Sequence, residues 1–224
     1  MGFIECIRER IERDDVTREG LYSLILFGSW VRGDFIDGVS DLDFFAVLRD
    51  GSHEKVIPRL SAILEECTEH LRRTEVDLAW EYKENLDDPL NKGYPFNFLT
   101  FYQDDFLEKH VVIYGEGIER ILPRYDRRTL IGWRADRLLK NLERDRRNPK
   151  MLRIVAGQVI RLLALMNGAG SIRKDDVQKT MEALDDPEAT EIFRAYLGGR
   201  VLDRGEDFWV DFIRSRIEKI KSGV

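Results

Sequence analysis

The sequence predicts an α/β N-terminal domain, a small mixed sheet with helices over residues 1–124, followed by an all-α helical bundle over residues 125–224. Three observations predict it. Two short, almost wholly apolar runs, "LYSLILF" and "DLDFFAVL", have the length and composition of buried strands. A helical-period segment then leads into an alternating run, "TEVDLAWEY", so the order is helix, strand, strand, helix, strand. From about Tyr125 the texture changes to successive apolar stripes at helical spacing, separated by "NP", "NGAG", "DDP" and "GG" breakers.

Taken in order, Phe3, Ile4, Ile7 and Ile11 recur at helical spacing, and the first helix is expected to run to a C-cap at Gly20. "LYSLILF" follows as the first strand and "DLDFFAVL" as a central one, apolar on both faces beyond its aspartates. "EKVIPRLSAILEECTEHLRR" carries an apolar stripe from Val56 to Leu71, with Pro58 placed in its first turn, and "TEVDLAWEY" is the third strand. Residues 83–124 read as a connector with an aromatic cluster, Tyr94, Phe96, Phe98, Phe101 and Tyr102, then a strand "HVVIYG" and a turn at "GEG". Five segments, beginning "RRTLIGW", "MLRIVAG", "KDDVQKT", "EATEIFR" and "EDFWVDF", supply the helices of the bundle.

Composition narrows the function classes. With 36 Lys and Arg against 42 Asp and Glu, a net charge of -6, the chain has no basic excess to coat a polyanion, which disfavours a nucleic-acid substrate. Cys6 and Cys67 have no ligand-like spacing; they read as inert core thiols in a reducing compartment, against a disulfide or a structural zinc site. "MGFIECIRERIERDD" lacks the apolar core of a signal peptide, and no apolar run approaches the roughly 20 residues that span a bilayer. The expected location is cytoplasmic. His53, His70 and His110 share no spacing and read as surface or satisfied core groups.

The chemistry concentrates between residues 28 and 77. Strand alternation puts Asp41 and Asp43 on one side, with Cα atoms roughly 6–7 Å apart, where they can share a cation. Two adjacent carboxylates repel and are costly to desolvate unless something positive sits between them, and Mg²⁺ is a hard ion that prefers oxygen ligands. In the third strand Glu75, Asp77, Ala79 and Glu81 share one face, opposite Val76, Leu78 and Trp80, so a third carboxylate is at hand. Gly28-Ser29 ends the first strand; Gly28 permits close approach, Ser29 adds a hydroxyl, and a helix opening there aims free N–H groups at an anion. Alone, Gly-Ser is a turn and Asp-x-Asp a solvated strand start. Together they make a phosphate cradle beside a metal-binding pair, which is what phosphoryl or nucleotidyl transfer needs. Arg32 could reach a phosphate or serve in a structural ion pair. The aromatic cluster could stack a ring or pack a hinge.

"LFGSWVRGDFIDGVSDLDFF", a Gly-Ser, eleven residues and Asp-x-Asp between apolar runs, with "EVDLAW" after it, resembles the polymerase-beta-like nucleotidyltransferase superfamily. "HVVIYGE" and "QVIRLLALMNGAGSIRKDDVQKTMEAL" resemble, more softly, the layout of aminoglycoside adenylyltransferases of the streptomycin and spectinomycin type. The resemblance implies that Gly28 and Ser29 hold the triphosphate of ATP or another NTP, and that Asp41, Asp43 and Asp77 bind two Mg²⁺ ions. Asp77 then completes the second metal site or acts as general base on an acceptor hydroxyl, a role for which Glu75 competes. The implied reaction is in-line attack on the α-phosphorus with release of pyrophosphate. A small aminoglycoside-like acceptor is favoured over a protein or an RNA end, and the net acidity suits a cationic compound. The expected site is the cleft between sheet and bundle. The rival readings are an antitoxin-like regulatory or binding module that modifies or sequesters a protein partner, and a nucleotide sensor. The absence of histidine from residues 125–224 leaves out the Arg and His pair of HEPN-type ribonucleases that can accompany such cores.

Overall fold

A computed structural model describes residues 2–49, 51–71 and 74–223, without the side chains of 127–129. The chain divides into two compact units, Met1–Arg124 and Tyr125–Val224.

The first unit is built on a four-stranded mixed sheet of order β3-β2-β1-β4. β1 (Leu21–Phe27) pairs antiparallel with β2 (Leu42–Leu48) and with β4 (Val111–Gly115), while β3 (Val76–Tyr82) runs parallel to β2. A parallel neighbour needs a crossover, and α4 (His53–Thr68) supplies it. One face of the sheet (Leu24, Leu26, Leu42, Phe44, Ala46) packs on the stripe Phe3, Ile7, Ile11 of α1 (Phe3–Arg13) and on Val56, Leu60, Leu64 of α4. The other face (Ile25, Phe45, Val47) is covered by the connector through Leu86, Leu99, Phe106, Ile118 and Leu122. Both faces of β1 and β2 are therefore buried, which is why their sequences are nearly continuous apolar runs.

Three expectations are corrected. The N-terminal helix is two, α1 (Phe3–Arg13) and α2 (Asp15–Gly20): Asp14 leaves the helical conformation and its side chain accepts from Thr17 N–H, capping a new start. Pro58 lies in the second turn of α4, because that helix begins at His53; the last residues of the stretch expected to be helical, Arg72 and Arg73, lie outside the described residues. Cys6 and Cys67 form a disulfide, joining α1 to α4 over Cα atoms 5.7 Å apart. The two positions are 61 residues apart, and only helix packing brings them together. Cysteine usage thus gives no argument for a reducing compartment.

The connector contains a 3₁₀ turn at Lys83–Asn85, another at Asn97–Leu99, and a short helix α5 (Gln103–Glu108) before β4. The second unit consists of α6 (Arg127–Asp145), α7 (Pro149–Met166), α8 (Lys174–Ala183), α9 (Pro187–Leu197) and α10 (Glu206–Ser222). The "NP" and "DP" breakers are helix starts. Asn148 accepts from Lys150 and Met151 N–H, and Asp186 accepts from Ala189 N–H, each followed by proline in the first helical position. Asp186 is also buried against Arg216, at 2.7 and 3.0 Å. Among the described residues no helix is long and apolar enough to cross a membrane.

Candidate active site

β1 ends at Phe27, which stands opposite Asp43 in the antiparallel register. The next residue, Gly28, has φ 78° and ψ -156°, a backbone region open in practice only to glycine. It begins the single helical turn α3 (Ser29–Arg32), in which Arg32 N–H returns to the Gly28 carbonyl and Gly33 and Asp34 N–H return to that of Ser29. Helix geometry gives the N–H groups of the opening residues no partner within the turn, so they are available to an anion. With one turn only, the contribution of an axial dipole is small, and the donors themselves carry the cradle. Ser29 is buried.

The carboxylate of Asp43 lies directly against this glycine. A Cβ on Gly28 would fall 1.9 Å from Asp43 Oδ2. On the other side of β2, Asp43 is in register with Asp77 of β3. Strands in register stand about 4.8 Å apart, and alternation gives both aspartates the face that carries Phe45, Val47 and Ala79. The sheet therefore lines up the turn after β1, Asp43 on β2 and Asp77 on β3 across three neighbouring strands. Asp77 is exposed, while Asp43 is half-buried. Two carboxylates this close are mutually destabilising when both are charged, and a divalent cation relieves that cost.

Asp41 precedes β2 and is exposed; Glu75, also exposed, precedes β3, and its carbonyl accepts from Leu42 N–H at 2.9 Å. Among the described residues no three His, Cys, Asp or Glu side chains are gathered so as to hold a metal ion. The donor set nonetheless fits Mg²⁺, which takes one or two carboxylates and fills its remaining positions with substrate phosphates and water. Arg32 pairs with Asp34, Nε to Oδ1 3.3 Å, with both side chains largely buried, so it serves the structural ion pair. His53 stacks on Trp80 and bonds Tyr82, and His110 bonds Glu119 and the Phe106 carbonyl, so both are half-buried and satisfied. His110 helps hold the Glu119 carboxyl below its usual range, after the larger effect of a backbone hydrogen bond.

One residue of this face was given no role by the sequence pattern, although alternation placed it on the face of Asp77, beyond Ala79. Glu81 is buried, and both of its oxygens accept hydrogen bonds from the connector and from its own strand end.

Residues 5–113 match the family described as nucleotidyltransferase domain, a span reaching from α1 into β4. No curated protein matches the chain. Among solved structures, that of spectinomycin adenyltransferase AAD(9) from Enterococcus faecialis with ATP and spectinomycin aligns over 96% of this chain and 98% of its own, at 18% identity and TM-score 0.64. Residues 5–113 thus match a nucleotidyltransferase domain, and the fold of the chain resembles that of spectinomycin adenyltransferase.

Proposed function

We propose that the protein is an adenylyltransferase that moves AMP from ATP to a hydroxyl of a small molecule. One observation carries this reading: the carboxylate of Asp43 rests on Gly28 and is flanked in register by Asp77, so an anion cradle and two acidic groups share one line across the sheet. Gly28 and Ser29 hold the triphosphate, and Asp41, Asp43 and Asp77 hold Mg²⁺. When bound, Mg²⁺ neutralises the polyphosphate and polarises the phosphoryl oxygens. The acceptor oxygen bonds to the α-phosphorus as the bond to the bridging oxygen breaks and pyrophosphate leaves. Asp77 takes the hydroxyl proton, since it stands abreast of Asp43 whereas Glu75 precedes the strand. The resemblance to a structure that holds ATP and spectinomycin supports ATP as donor and a small-molecule acceptor.

The test incubates the purified chain with Mg²⁺, ATP labelled at the α-phosphate, and either spectinomycin and related amino-cyclitols or a cell extract. Label in a small product together with stoichiometric pyrophosphate is the expected result. Label in a polypeptide would move the acceptor to a protein, and neither label nor pyrophosphate from any acceptor would refute the transferase reading.

A further inference from the structure

The turn that carries Gly28 and Ser29 is four residues long, and a single helical turn makes too few hydrogen bonds to offset the entropy of ordering it. Its position is therefore set from outside. On one side Gly28 rests against the carboxylate of Asp43. On the other, Trp30 stands edge-to-face with Phe3 of α1, ring centroids 5.5 Å apart at 78°, and with Phe35, 4.9 Å apart at 75°. The two supports come from opposite faces of the sheet. Phe3 belongs to the cluster that holds Leu24 and Leu26, against which Val31 of the turn also packs, whereas Asp43 shares the face of Phe45.

Both aromatic partners of Trp30 are themselves held. Phe3 is buried at the start of α1, which is tied to α4 by the Cys6–Cys67 bridge and to β4 by Arg8 Nε, donating to the Ile113 carbonyl at 3.1 Å. Phe35 is half-buried and follows Gly33, whose φ of 81° turns the chain back while Gly33 and Asp34 N–H both return to the Ser29 carbonyl. Trp30 is 37% exposed, so its removal empties no enclosed core site and chiefly forfeits these two ring contacts.

We propose that Trp30 is a positioning residue for the triphosphate: wedged between Phe3 and Phe35, it braces the Gly28-Ser29 turn from behind against Asp43. This rests on the adenylyl transfer proposed above. Backbone donors serve an anion only while they stay within hydrogen-bond distance of its oxygens, and a shift near 1 Å in such a positioned group costs on the order of 10²-fold. Edge-to-face pairs resist that shift because they fix ring orientation as well as burying area.

Calorimetric titration of the full chain in Mg²⁺ buffer, with inorganic tripolyphosphate and with ATP, tests the brace. Trp30→Ala is expected to weaken both ligands alike by about tenfold or more, since they share the triphosphate. Trp30→Phe, which keeps a ring between Phe3 and Phe35, should recover both to within about threefold of wild type. Adding Phe3→Leu to Trp30→Ala should cost no more than about a further twofold, because the contact it removes is already gone. Ile11→Val loosens the same core cluster about two turns along α1 from Phe3, and should leave both affinities within about twofold. Should Trp30→Ala fail to fold, Phe35→Leu carries the test, with a loss of about threefold expected for both ligands. Unchanged tripolyphosphate affinity in Trp30→Ala, or in Phe35→Leu where that variant stands in, would overturn the brace and leave the cradle intact, as would a loss that Ile11→Val reproduces. Failure of the wild-type chain to bind either ligand would overturn the cradle, and the brace with it.

Discussion

Replacing Gly28 by alanine strikes the site at its tightest point. The added methyl would lie 1.9 Å from Oδ2 and 2.7 Å from Cγ of Asp43, so the carboxylate oxygen must retreat by about 1.5 Å to recover an ordinary contact of 3.4 Å. The backbone adds a second penalty, because alanine at φ 78° and ψ -156° is strained by about 1–3 kcal/mol. A displacement near 1 Å in a positioned catalytic group costs on the order of 10²-fold in rate. Gly28→Ala should therefore lower kcat for pyrophosphate release by about 10²-fold or more, with a melting temperature reduced by several degrees. The two penalties separate in a double-mutant cycle. With Asp43→Ala already present, the clash with the carboxylate is gone, and adding Gly28→Ala should cost less stability than it does in the wild-type background. Additive stability losses, or a Gly28→Ala enzyme with near-normal kcat, would refute the close packing of cradle and carboxylate.

The remaining predictions address the carboxylates, the bundle and the disulfide. Asp43→Asn and Asp77→Asn should each reduce turnover by on the order of 10²–10³-fold with little change in urea midpoint, whereas Glu75→Gln should have the smaller kinetic effect if Asp77 is the base. In the second unit, burial works against the charged form of Asp186, but Arg216, the Ala189 N–H and Lys219 overcome it and hold the carboxyl below its usual range. Because the folded value is depressed, its stabilisation is complete above the unfolded aspartate value of about 3.9 and is lost as pH falls below it. Asp186→Asn should thus destabilise the bundle by on the order of 3 kcal/mol at neutral pH, a difference that shrinks in acid melts. Reduction of Cys6–Cys67, followed by thiol titration, should lower the stability of the first unit by about 4 kcal/mol, the value for closing a loop of this length.

What was legible in the sequence was local. β1 and β2 declared themselves because both of their faces are buried, leaving unbroken apolar runs, and the five bundle helices because each has an apolar stripe, with α7 and α9 also marked by a capping residue before proline. Gly28, Ser29, Asp43 and Asp77 were legible as residue types at strand ends, since alternation alone gives the shared face. The break at Asp14 was hidden by an amphipathic pattern that continues through it, although an aspartate three residues before a threonine is a capping signal. The connector was opaque for a different reason. Its conformation hangs on Glu81 receiving Tyr94 N–H from 13 residues away and on β4 pairing with β1 across most of the domain, contacts that no local pattern encodes. The Cys6–Cys67 bridge belongs to the same class of distant contact.

β3 stands at the rim of the sheet, while β1 and β2 occupy its interior. Asp77 and the loop behind Glu81 therefore hang from a strand that has only one hydrogen-bonded neighbour, and Gly28 and Asp43 from strands enclosed on both sides. Drift in β3 therefore disturbs one strand pairing and drift in β1 or β2 disturbs two, which leaves Gly28 and Asp43 the part of this architecture with the least room to move.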